Sequence, residues 1–123
     1  MPFCEDTTGT FVTAWGSSEP DVGSDGKSYD DPSVHHRATA TRNERGYVLD
    51  GAKSSFVSNG SIADAFVMFA CTDESKGLRG SGAFVVPGDA PGVGRKPARS
   101  LPVPSRVRFV LHLSDAATPR VVH

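Results

Sequence analysis

The chain has 123 residues, 37% hydrophobic and 22% charged, with 13 Gly, 9 Pro and a formal net charge of −1; its mean hydropathy is −0.26. That is room for one domain able to bury a core without disulfide staples, and the Gly and Pro content suits a turn-rich, mostly β fold. Cys4 and Cys71, with no CxxC and no Cys/His cluster, give neither a disulfide framework nor a metal site. No apolar run approaches the roughly eighteen residues a membrane span needs, and the N-terminal stretch "MPFCEDTTGT" lacks an export signal, so a cytoplasmic protein without membrane contact is expected.

In chain order, "GTFVTAWG" is rich in β formers and predicts a strand running into the loop "SSEPDVGSD". "GKSYDDPSVHH" is polar and Pro-containing and predicts a loop. His35 and His36 lie there without a third ligand, so both are expected on the solvated surface. "RATATRNERGYVLDGAKSSFVSNG" predicts two strands joined by a turn at Asn43 to Gly46, with a second turn at Asp50-Gly51, because Gly tolerates positive φ.

"ADAFVMFACTD" is an apolar run of strand length and predicts a central core strand, with Cys71 as a buried small hydrophobe. "ESKGLRGSG" is expected to be a loop, "AFVVPG" a strand, and "DAPGVGRKP" a turn feeding one more strand. The Gly92 to Gly94 "GVG" lacks the strand-to-helix setting of a dinucleotide fingerprint. Short strands with Gly/Pro punctuation predict an all-β barrel or sandwich.

The last thirty residues differ in kind. Residues 1–93 carry 7 basic and 13 acidic residues, whereas residues 94–123 carry 6 basic and 1 acidic. This basic stretch has a single aromatic, Phe109, and no amphipathic repeat, so nucleic-acid binding is not expected.

Three segments in fixed order, "SSEPDVGSD", "GYVLDGAKSSFVSNG" and "ADAFVMFACTD" followed by "GSGAFVVPGDAPGV", resemble the middle β-barrel domain of the flavin-dependent acyl-CoA dehydrogenases. The resemblance runs from about Phe11 to about Val93. It implies a small β-barrel or orthogonal sandwich over residues 1–93, FAD as cofactor and, in a full-length relative, an acyl-CoA substrate oxidised at its CH–CH bond.

On the same resemblance Ser18 stands at the family Thr that bonds the flavin ring, with Trp15 and Ser17 lining the same strand end. Short hydroxyls on rigid backbone suit a flavin, whose pyrimidine edge and N5 offer hydrogen-bonding atoms. Ser24 matches the Ser near the FAD pyrophosphate and the acyl-CoA entrance. Phe56 takes the place of an aromatic beside the isoalloxazine, and Ser58 that of the donor to flavin N5. Glu19 and Pro20 are expected to fix the loop, since Pro pre-sets φ and an acid can satisfy backbone donors.

The carboxylate base of this chemistry belongs, in the resembled family, to helices beyond the β domain. No catalytic residue is therefore assigned in this chain, and its FAD binding is expected to be weak or absent, without turnover. Residues 94–123 match the family poorly and are expected to be a poorly ordered or frame-shifted tail. The competing expectation is a non-catalytic β-barrel interaction module that exposes apolar area and self-associates.

Overall fold

The structure, a computed structural model, describes residues 2–23, 30–54, 57–95 and 107–114, the last of these as backbone. Its elements are a one-turn helix α1 (Pro2–Glu5), β1 (Thr13–Gly16), β2 (Thr39–Asn43), β3 (Gly46–Lys53), β4 (Ala65–Cys71), a 3-10 helix (Glu74–Gly80), β5 (Ser81–Pro87), β6 (Val93–Arg95) and β7 (Val107–Ser114). The fold is all-β, as the punctuated short strands predict.

One sheet runs in the order β1-β4-β2-β3-β7-β6, and β5 pairs with β4 off that path. β4 is its centre. β1 lies parallel to it, Thr13 opposite Ala65, and β5 antiparallel, Phe66 opposite Val86. β2 touches the end of β4 in parallel at Thr39 and Cys71. The predicted Asn43–Gly46 turn closes the β2–β3 hairpin, with Asn43 opposite Gly46.

Period-2 alternation decides which faces are buried. Along β1, β4 and β5 the side chains of Ala14, Phe66, Met68, Ala70, Phe84 and Val86 turn inward, where Leu49, Ala38, Ala40, Val57 and Ala63 complete the core. Phe66, Phe84, Leu49, Met68 and Val86 are fully buried, each contributing about 1.5–3 kcal/mol of apolar burial. Cys71 is buried as expected.

Three local expectations are corrected. Asp50-Gly51 is not a turn: β3 runs straight through it, and Gly51 is required instead because a Cβ there would meet Cα and Cβ of Ala38 at 2.7 Å. "ESKGLRG" is not irregular loop but a 3-10 helix, capped by the Asp73 side chain accepting from the Ser75 amide and broken at Gly77, whose φ is 57°. His36, expected in solvent, is 8% exposed.

Within residues 94–123, β7 runs antiparallel along all of β3, Gly46 opposite Ser114 and Lys53 opposite Val107. Its other edge receives β6, with Val93 opposite Phe109.

Candidate functional site

The loop after β1 is held by its own turn. Glu19 and Val22 exchange backbone hydrogen bonds of 2.9 and 3.3 Å, and Pro20 supplies the fixed φ that such a turn favours. The Glu19 side chain then points inward, where its carboxylate accepts from the Arg37 and Ala38 amides and from Lys53 Nζ at 2.6 Å. Lys53 also donates to the Phe69 carbonyl.

Both side chains of this ion pair are 0% exposed. Burial pulls the Lys53 ammonium below its ordinary pKa, while the charge and hydrogen bond of Glu19 pull it back up. An ion pair this deep survives because every charge has a hydrogen-bonding partner. Glu19 thus satisfies backbone donors as expected of a loop-fixing acid, and a lysine from the end of β3 joins it.

A second tie joins the same segments: the Ser54 amide donates to the Ser18 carbonyl at 2.9 Å. Ser17 and Ser18, both half-buried, therefore sit against the end of β3, from which the chain proceeds to Val57 and Ser58. Ser58 is exposed, next to the turns in which Gly60 and Ile62 donate to the Val57 and Asn59 carbonyls. Ser24 and Phe56 lie outside the described residues.

Trp15 points away from the core and is 61% exposed. Its ring rests on Phe69 with centroids 4.9 Å apart. Phe69 also stacks on His36, with centroids 6.0 Å apart. His36 Nδ1 lies 2.9 Å from the Ser81 hydroxyl, and the ring also hydrogen-bonds the Ser17 backbone. Burial, then the nearby Lys53 charge, lower the His36 pKa, against opposing contributions from Glu19 and the Ser17 hydrogen bond.

An open aromatic ledge beside short hydroxyls on a braced loop can receive a flat heterocycle with a polar edge. The residues present therefore fit a flavin ring. Lys53, His36, Phe69 and Ser81 are the members of this cluster that sequence reasoning missed. Lys53 sits inside the quoted "DGAKSS" segment, but its carboxylate partner lies far away in sequence.

Residues 14–110 match the family model of the acyl-CoA dehydrogenase middle domain. The chain belongs to the acyl-CoA dehydrogenase family. It is 39% identical over 85 residues to the short-chain-specific acyl-CoA dehydrogenase of Megasphaera elsdenii, covering 68% of this chain and 20% of that enzyme.

Among solved acyl-CoA dehydrogenase relatives, the glutaryl-CoA dehydrogenase of Mycobacterium smegmatis superposes with a TM-score of 0.68 at 33% identity, over 88% of this chain and 26% of that one. The FAD complex of PigA gives a TM-score of 0.69 at 27% identity, over 88% and 28% of the two chains. The chain thus spans about a fifth of the length of the sequence relatives it matches.

Proposed function

We propose that this chain is the flavin-facing middle domain of an acyl-CoA dehydrogenase-like oxidoreductase acting on the CH–CH group of an acyl-CoA. The observation that carries this reading is the Ser17–Ser18 loop, fastened to Ser54 beside the exposed Trp15 and its Phe69 support. Trp15 offers its face to the isoalloxazine, and Ser17 and Ser18 offer hydroxyls and backbone to its edge. On the family resemblance Phe56 and Ser58 serve the ring, and Ser24 the phosphates and the acyl-CoA.

Bound FAD supplies the two-electron acceptance that the oxidation requires. The chain's own residues orient it and exclude water from one face. Glu19 is not the proton acceptor: its carboxylate is engaged by the Arg37 and Ala38 amides and by Lys53, and the residue is 3% exposed. The 123-residue chain by itself binds FAD weakly or not at all and does not turn over. Titration of the purified chain with FAD, followed by a dye-reduction assay with a panel of acyl-CoA thioesters, tests both statements. Tight stoichiometric retention of FAD refutes the claim of weak binding, and dye reduction refutes the claim of inactivity.

All the proposed flavin groups lie within residues 1–93, and residues 94–123 contribute β7 as a supporting strand. The family match reaches residue 110 and β7 pairs along all of β3, which weigh against a shifted frame before that point. Reading the locus in all three frames tests the remainder. No helix among the described residues is long and apolar enough to cross a membrane, and we place the protein in the cytoplasm.

A second reading rests on the outer face of the sheet. Trp15, Val67 and Val85 are neighbours in register across β1, β4 and β5, and Trp15 and Val85 are 61% and 36% exposed. As a non-catalytic interaction module the domain self-associates through this face. Sedimentation as a monomer at high concentration rules that out.

A further inference from the structure

The Glu19–Lys53 pair does more than one ion pair needs to do. It draws four separate pieces of chain to one point: the serine loop through Glu19, the approach to β2 through the Arg37 and Ala38 amides, the end of β3 through Lys53, and β4 through the Phe69 carbonyl. The second of those pieces also carries His36, and the last carries the Phe69 ring under Trp15. Ser17 is therefore tied to this point through His36, Ser18 through the Ser54 amide, and Trp15 through its ring contact with Phe69.

The geometry next to the pair is tight. Gly16, the last residue of β1, has no room for a Cβ, which would meet Met68 Sδ at 2.7 Å and Lys53 Cγ at 3.3 Å. The stem of Lys53 thus packs directly beneath the start of the serine loop. A buried ion pair contributes little net stability compared with an apolar replacement of similar volume. What it supplies here is direction, because an ammonium between a carboxylate and a carbonyl fixes both in space.

We propose that Lys53, with Glu19, is the positioning residue of the flavin site, setting the separation between the Ser17–Ser18 loop and Ser54 at the end of β3. This rests on the flavin reading given above, but it has a readout that does not depend on FAD. The link it controls is the Ser54 amide bond to the Ser18 carbonyl, whose protection against hydrogen exchange reports on that separation.

The deciding variant is E19Q/K53M. It removes both charges, so no unpaired buried charge remains, and Met fills the volume of the lysine stem. The Arg37 and Ala38 amides bond different oxygens of Glu19, so the Gln oxygen keeps one of them and the other loses its acceptor. The expected result is a lowered melting temperature with the core amide of Phe84 still protected. The Ser54 amide then exchanges at least about tenfold faster, and FAD binds at least about tenfold more weakly, as misplacement of a site by a fraction of an ångström implies.

Retained Ser54 protection in a folded double variant overturns the proposal. So does loss of Phe84 and Ser54 protection in parallel, since that describes a purely structural pair. Where wild-type FAD binding is too weak to measure, the exchange result alone decides the bracket and the flavin reading is left to its own test. If the double variant does not fold, E19Q alone supplies the same exchange measurement, because Lys53, its pKa lowered by burial, can shed its proton.

Discussion

His36 Nδ1 stands 2.9 Å from the Ser81 hydroxyl, in a pocket closed on one side by the Phe69 ring. A histidine in that position is a stability sensor as much as a hydrogen-bonding partner. The charged groups acting on it are Lys53 from β3, Glu19 from the serine loop and its neighbour His35; β4 and β5 present an aromatic ring and a hydroxyl.

Burial and Lys53 hold the folded-state pKa of His36 below the ordinary 6.5. As pH falls below 6.5 the unfolded chain takes up its proton first, so the stability this ring contributes is complete above that pH and declines beneath it. Melting temperatures recorded from about pH 8 to about pH 5 are expected to fall through this window, and H36Q is expected to flatten the slope. A wild-type profile with no inflection there contradicts the burial of His36.

Asp6 produces a separate acid limb. Its carboxylate accepts from the Thr8 hydroxyl at 2.6 Å and from the Phe11 and Thr8 amides at 2.8 and 2.9 Å. With the Thr8 hydroxyl as the largest cause, these hold its pKa down from 3.8 to about 2. Its contribution is present above pH 3.8 and is lost as pH falls through about 2. Titration of its carboxyl carbon by NMR checks the midpoint, and T8V is expected to raise it toward the ordinary value.

Gly51→Ala is expected to destabilise the fold by about 1–3 kcal/mol through overpacking. The companion substitution Ala38→Gly does not restore it, because Cα of Ala38 stands as close to the new methyl as Cβ does, 2.7 Å. Urea unfolding of the two single variants and the double variant measures this. Full rescue in the double variant means that the strand separation relaxes.

Trp15 is the only tryptophan in the chain, which makes its fluorescence a site-specific signal. With 61% of the residue exposed, its emission is expected to be that of a solvated indole and to be quenched by FAD in proportion to binding. Phe69→Ala removes the ring 4.9 Å beneath it and is expected to weaken FAD binding several-fold, about 1 kcal/mol, the range of an aromatic pair. Quenching that is unaffected by F69A places the flavin elsewhere.

The β architecture was legible because the chain alternates cleanly where one sheet face is buried, as in Phe66, Met68 and Ala70, and because Asn43 to Gly46 carries turn chemistry. The Asp50-Gly51 pair misled for a physical reason. Glycine serves both positive φ and close approach, and Gly51 uses both within a strand, with a φ of 155° and Ala38 2.7 Å from where a Cβ would stand. The 3-10 helix was hidden by its two internal glycines, Gly77 and Gly80, which read as loop from sequence.

The candidate site was legible in part. Motif order proposed Trp15, Ser17 and Ser18, whereas His36 looked like a surface residue because its polar neighbours conceal the aromatic cover supplied by Phe69 from β4. Lys53 could not be recognised as buried from composition, since lysine is rarely buried without a partner and that partner is set by the fold.

The parallel pairing of β1 with β4 also constrains how the molecule comes into being. The β2–β3 hairpin and the β4–β5 pair are assembled from neighbouring residues, but β1 waits for partners far along the chain, and Val12 meets the Asp64 carboxylate across 52 positions. Such a loop is slow to close. During synthesis the serine loop therefore emerges early and docks late, and until it does, the edge of β4 that β1 will occupy stays open to the wrong strand.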